Sequence, residues 1–305
     1  MKKKIILSAL ILAGALFAED VSAQALPFTA IDRDPVSVAK GGTITGLSST
    51  AYAAFGNTAA IPFAEESADF SAGYTMWQPN AVKTDFINAA GAYKIKDRFG
   101  VAAALTYGMM PAYDIIDGTG YVKGSFKPSA MQFNAGFAWR FIDNLSAGVN
   151  LGYATNSLSK DNSYGALTAD VYLMARFGGF KAAVGAVELG PKVESASADA
   201  FSLPSAVKIG AGYETIFAEK HCISADLGAD YAFTGGLAAA AGIEYVFDEM
   251  ASVRAGYRYG GDTAVPSYAS FGAGFRFVGI KADVAYLIGN KMTGNTLCVA
   301  LGYTF

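Results

Sequence analysis

Few side chains in this sequence have the type and spacing to do chemistry. It contains one histidine, His221, followed directly by Cys222, and a second cysteine, Cys298. A metal site needs further ligands at coordinating spacing, and a nucleophile needs a base beside it. A solitary imidazole at the start of an alternating segment supplies neither, and it reads as a solvated turn residue. No enzyme, metal or cofactor is therefore expected. The pairs Gly210-x-Gly212 and Gly272-x-Gly274 lack the third glycine and the following helix of a nucleotide loop. They read instead as positions where other backbone comes close. The two cysteines fall at opposite ends of strands about five positions apart, beyond the roughly 7 Å that a disulfide allows, which predicts free thiols. The densest chemical set is ionic: Lys208, Glu214, Asp226, Asp230, Glu244, Arg254, Arg258, Arg276, Lys281 and Asp283. Both signs occur on the same face of neighbouring segments. That pattern suits charges pairing with one another, or with a plug, better than the separated signs of a wide ion-conducting pore.

The elements carrying these charges alternate with a period of two. In 144–156, Leu145, Val149, Leu151 and Tyr153 oppose Ser146, Gly148, Asn150 and Gly152. In 220–233, Ile223, Leu227, Tyr231 and Phe233 oppose Ser224, Asp226, Gly228 and Asp230. Such alternation defines strands with one apolar face. The composition is 52% hydrophobic and only 16% charged, against about a quarter charged in an ordinary soluble domain. After the N-terminal segment no apolar run is long enough for a membrane helix, since "GLAAAAGIEYVF" is interrupted by Glu244. The remaining structure that satisfies its backbone in lipid is a closed barrel. The expected fold is all-β, a transmembrane antiparallel β-barrel of about 14 strands with an N-terminal hatch.

Fourteen segments can be marked, near 67–78, 83–95, 98–110, 127–141, 144–156, 164–177, 179–189, 203–217, 220–233, 235–248, 250–260, 266–278, 279–289 and 295–305. The segment at 83–95 alternates poorly. Short links ("KDR", "DN", "GG", "AEK", "DEM", "VG") take turns with mostly longer polar ones ("PAYDIIDGTGYVKGS", "SLSKDNS", "KVESASADAFS", "GDTAVPS", "NKMTGN"). That asymmetry is expected of periplasmic turns and outer loops. The chain ends in the strand "TLCVALGYTF". Leu301, Tyr303 and Phe305 on its apolar face are expected to pair with the first strand and to be read by the barrel assembly machinery.

Upstream, "MKKK", an apolar run from Ile5 to Ala18 and "VSAQ" predict a signal peptide over 1–23. Secretion into the outer membrane of a Gram-negative bacterium follows, with outer-membrane lipid as the surrounding partner. The mature chain stays slightly acidic, with no basic stripe for nucleic acid. Residues 24–66 do not alternate and form a candidate hatch, leaving 67–305 for the barrel. Hatch residues Asp32, Arg33, Asp34 and Lys40 are the natural partners for the lumen charges.

The stretch "DPVSVAKGGTITGLSSTAYAAFGNTAAI" resembles the PorV/PorQ proteins of Bacteroidetes, relatives of the FadL-type fatty-acid transporters. It has a small-residue helix start, the pair Gly41 and Gly42, a Ser-rich turn, and an aromatic residue before an Asn-Pro-Ala pattern that here reads Asn57-Thr58-Ala59. The final strands, including "FGAGFRFVGIKADVAYLIG", extend the likeness. The resemblance implies a FadL-like barrel accessory to protein secretion of type IX kind, with a translocon or secreted cargo as partner. The alternatives are a FadL-like passive transporter of a small hydrophobic ligand, and a structural barrel without transport. A capture site for such a ligand would need apolar residues at the outer mouth. Met109, Met110, Tyr113, Ile115 and Ile116 of "MMPAYDII" are the candidates.

Overall fold

The computed structural model describes residues 24–43, 51–81, 83–195, 198–261, 263, 265–289 and 294–305. The expected signal peptide, 1–23, and part of the "NKMTGN" link lie outside them. The fourteen barrel strands are β1 (Ala68–Trp77), β2 (Thr84–Ile95), β3 (Phe99–Met109), β4 (Ser129–Ile142), β5 (Leu145–Ser159), β6 (Asn162–Phe177) and β7 (Phe180–Leu189), followed by β8 (Ala206–Phe217), β9 (His221–Ala232), β10 (Leu237–Phe247), β11 (Ala251–Tyr259), β12 (Tyr268–Phe277), β13 (Ile280–Gly289) and β14 (Thr296–Thr304). Each pairs antiparallel with its neighbours, and β14 pairs with β1 to close the barrel.

Alternation builds this wall inside out relative to a soluble protein. Leu105, Leu151, Leu167, Leu227, Ile243, Phe271 and Leu301 point away from the barrel and stay exposed, whereas Asn88, Thr106, Gln132, Asn150, Thr168 and Ser270 are buried inside it. A continuous apolar outer face over a polar interior is the arrangement lipid requires. Among the described residues no helix is long and apolar enough to cross a membrane.

The six short links marked in the sequence lie at one end, the turn end, and several place consecutive residues in the left-handed region. Examples are Lys96 and Asp97, Ala218 and Glu219, and Asp248 and Glu249. That geometry matches the twist of the flanking strands. The C-terminus is tied down at the same end. Ser67 and Ala68 donate backbone hydrogen bonds to the Phe305 carbonyl at 2.9 and 2.8 Å, and the Phe305 ring stacks on Phe70 at 6.1 Å. A strand that must complete a sheet has no room for a loose tail.

The loop end departs from expectation in several places, including a hairpin of Val193–Ser195 against Ala198–Phe201 in the link after β7. "SLSKDNS" is not a loop, because β5 and β6 run on as a ladder that pairs Ser159 with Asn162. The long link after β3 folds into its own hairpin, Tyr113–Ile116 against Val122–Phe126.

Candidate functional site

The lumen is filled by the hatch, and glycines in the wall make room for it. A Cβ on Gly148 would sit 2.5 Å from the Ala59 amide nitrogen, and one on Gly256 would run into the Lys40 backbone. Side chains at either position are excluded by that approach.

The hatch grips the wall in two halves by two kinds of bond. The second half comprises the short helical turns Ala51–Phe55 and Thr58–Phe63. Asn57 caps the latter by accepting from the Ala59 amide at 3.0 Å, so it shapes the hatch instead of meeting a ligand. Polar wall residues donate to this half's carbonyls. Asn134 Nδ2 reaches the Ala54 carbonyl at 3.0 Å, Asn150 Nδ2 reaches Gly56 at 2.7 Å, and Arg176 Nη1 reaches Phe63 at 2.8 Å. In addition, Tyr52 donates to Asn88 Oδ1 at 2.7 Å.

The first half is held by charge as well as by hydrogen bonds, since Ser270 Oγ donates to the Ala39 carbonyl at 3.0 Å and accepts from the Gly41 amide at 3.2 Å. It centres on helix α1 (Pro35–Ala39), which Asp34 caps by accepting from the Val36 amide at 3.0 Å and which ends on Gly41 and Gly42, both at positive φ. Lys40 Nζ lies 2.6 Å from Asp226 and 3.6 Å from Glu244. Arg254 then joins Glu244 to Asp283, at 2.7 Å each, so the ionic chain crosses four strands. Asp69 binds Lys281 and also accepts from the Ala51 amide at 2.8 Å, which ties the second half to the same wall. Burial alone would lower the pKa of the Lys40 ammonium, but Asp226 and Glu244 reverse this and the net shift is upward.

Arg33 and the two aspartates behave otherwise than expected. Among the described residues no carboxylate forms a salt bridge with Arg33, although Glu188 attracts it. Its guanidinium donates to the carbonyls of Ile31 and Phe28 at 3.1 and 2.8 Å, and it lies within 5.0 to 6.0 Å of the ring centres of Phe28, Phe55 and Phe86. Burial lowers its pKa to about 10, leaving it charged at neutral pH. Asp32 turns back on the hatch itself, accepting from the Asp34 amide and the Ser37 hydroxyl. The Asp34 carboxyl is pushed up to about 7, first by burial and then by Asp32.

Arg258 pairs with Asp230 at 2.7 Å inside the barrel. Arg276 is exposed at the turn-end mouth, where it binds Glu66 at the end of the hatch at 2.8 Å. His221 is not a plain solvated turn residue. Its Nδ1 lies 2.7 Å from the Tyr245 hydroxyl and its ring stacks on Phe217 at 5.1 Å. Cys222 and Cys298 are free thiols, and Cys298 donates to the Arg33 carbonyl at 3.4 Å.

At the loop end, Tyr113 and Ile116 are exposed as expected, and Tyr121 and Val122 join them on the facing strand of the hairpin. Ile115 is only partly exposed. Met110 leaves the patch and packs inward against the buried cluster around Phe28, Trp77 and Phe86, while Met109 ends β3 beside it. Sequence alternation had no means of finding Tyr121 and Val122, because their hairpin partners are set by the turn at Asp117–Gly120.

Between the hatch and the loop end is a cavity of about 60 Å³, whose wall includes Asp170, Glu188, Lys208 and Arg258. The sequence reading missed Asp170 and Glu188. A lone acid between Thr168 and Tyr172 on the inward face was the available signal for the first.

The class defined by these features is a fourteen-strand barrel plugged by its own N-terminal segment. Solved structures share the fold. The Ralstonia pickettii toluene transporter TbuX is 12% identical over 88% of this chain and 97% of its own, with a TM-score of 0.61. The Pseudomonas putida toluene transporter TodX is 12% identical over 94% of this chain and 98% of its own, with a TM-score of 0.57. A Pseudomonas aeruginosa FadL homologue is 12% identical over 90% and 99%, with a TM-score of 0.53. The fold is therefore that of the FadL-like barrels. No protein-family model and no curated protein matches the sequence.

Proposed function

We propose that this protein is an outer-membrane channel for passive entry of small hydrophobic molecules, closed at rest by its hatch. The observation that carries the reading is the split anchorage of the plug. Wall side chains donate to carbonyls of both halves, and the first half adds to these the buried Lys40 ion-pair cluster. A plug built only to seal the barrel has no need of a second, separable mode of attachment.

Two further features support it. The exposed hairpin with Tyr113, Ile116, Tyr121 and Val122 offers an apolar surface at the mouth. The proteins sharing the fold at TM-scores above 0.5 include toluene transporters and a monoaromatic hydrocarbon channel. The secretion-accessory role implied by the PorV/PorQ resemblance gains no support from the lumen or from these neighbours, so transport takes precedence. The experiment is uptake of radiolabelled toluene by cells with an otherwise intact outer membrane, with and without the protein. Faster uptake only with the protein is expected, and equal uptake would overturn the reading.

A further inference from the structure

We infer that a notch in the turn-end rim, beside β8, is a docking site for an extended segment of a periplasmic protein that brings a single carboxylate to Arg140. The inference does not rest on the channel reading.

The notch follows from hairpins of unequal height. Gly178 and Gly179 alone join β6 to β7, and Gly178 takes a φ of +58°. Gly179 lies so close to β8 that a Cβ on it would run into the Glu214 carbonyl. β8 continues past this turn. Its ladder with β7 ends where Tyr213 faces Phe180, followed by one bond from the Glu214 amide to the Gly179 carbonyl at 2.9 Å. Thr215, Ile216 and Phe217 then have no strand on that side. Main-chain groups two residues apart point the same way along a strand. The amide and carbonyl of Ile216 therefore face the notch, as the Glu214 amide faces Gly179, and they have no backbone partner among the described residues. An unpaired edge of this kind is a template for another strand.

The space beside the edge measures about 700 Å³, and the end of the hatch, from Pro62 to Glu65, forms part of its wall. Most charges around it are already matched. Arg176 and Lys181 hold Glu214 at 3.2 and 2.5 Å, and Lys94 holds Asp97 at 2.8 Å. Arg140 is the exception, with no salt bridge among the described residues. It is nevertheless fixed in place. Nε and Nη2 donate to the Asp143 carbonyl at 2.9 and 2.6 Å, and the guanidinium lies 4.9 Å from the centre of the Phe63 ring. That leaves Nη1 as a positioned, charged donor, which suits a carboxylate. The exposed carboxylates of Glu65 and Asp143 line the same space and would repel a second acid. Ile216 supplies an apolar contact. It shares the face of Glu214, toward the mouth and away from lipid, and is 68% exposed. A second copy of this chain is not the occupant, because copies in one membrane point their turn ends in the same direction.

The test uses the full-length protein in detergent and three fluorescently labelled heptapeptides of alternating threonine and valine, with aspartate, asparagine or lysine at the centre. The aspartate peptide is expected to bind about tenfold tighter than either of the others. Arg140→Met should bring the three to within about threefold of one another. Ile216→Pro removes the free amide without breaking a ladder bond and should weaken all three. Lengthening the β6–β7 hairpin by two residues on each side of Gly178 and Gly179 lets β7 cover Ile216, and should abolish binding. Heat-modifiable migration reports that each variant is folded. Equal binding of the three peptides, or a preference for lysine, overturns the acidic partner, and no binding by folded wild-type protein overturns the docking site. Toluene uptake should be unchanged by the longer hairpin. If uptake is lost instead, the notch is an exit for the transported molecule and the docking site is overturned while the channel stands.

Discussion

Lys40 is the residue on which closure of the lumen turns. With its side chain buried between Asp226 and Glu244, replacing it by methionine strips Asp226 of its ion-pair partner, whereas Glu244 keeps Arg254. Removing one partner of a buried pair costs about 3–5 kcal/mol. Lys40→Met should therefore lower the thermal unfolding temperature in detergent and raise ion conductance in planar bilayers, as the first half of the hatch loosens. An unchanged conductance would show that the ionic cluster does not hold the plug. Asp34 gives a prediction of opposite character. Its carboxyl titrates near about 7 in the folded protein and near about 3.9 in an unfolded chain. Between those values the unfolded chain has lost a proton that the folded one keeps, so this group's contribution to stability falls as pH rises from about 4 to about 7 and is level above. Asp34→Asn keeps the cap and removes the titration. The difference in stability between the two proteins should grow over that window and then flatten.

At the scale of elements, the strands were legible because alternation with a period of two reports the two faces of a membrane barrel directly. All fourteen marked segments fall on strands, and the short links coincide with the turns. Where alternation weakened there was a packing reason. Phe86 faces inward to meet the Arg33 guanidinium, and Ala89 and Gly91 on the outer face give β2 little contrast. The hatch was visible only as a stretch lacking periodicity. Which wall residues hold it depends on long-range placement of asparagines such as Asn134 and Asn150, which look like any lumen polar residue in sequence. The lumenal glycines were readable as close-approach positions, and they supply a test. Gly256→Val cannot coexist with the Lys40 backbone where it lies, so it should expel the first half of the hatch. The expected sign is new proteolytic cleavage within 24–43 in a barrel that otherwise remains resistant. The terminal strand supplies another. Deleting Tyr303 to Phe305 removes the Phe305 backbone bonds and the ring stacked on Phe70, and should reduce the heat-modifiable folded form in outer-membrane fractions. An undiminished folded band would mean that closure does not depend on the terminal residues.

For the whole molecule, an apolar exterior, a polar interior and an N-terminal plug together describe a barrel closed by its own hatch. The exterior follows from composition, but the closure does not. It arises from the pairing of charges whose signs the sequence showed and whose partners only the fold assigns. The exposed hairpin and the cavity lie toward the same end, and on the channel reading proposed above an apolar molecule is gathered at the mouth before the Lys40 half moves. The most direct measurement of this account is toluene uptake through the wild-type barrel and through a barrel whose first hatch half is locked to the wall by an engineered disulfide between residues 40 and 226. The account predicts protein-dependent uptake that the lock abolishes and reduction restores. Uptake that continues at full rate through the locked barrel, or that is absent from the unlocked one, would contradict it.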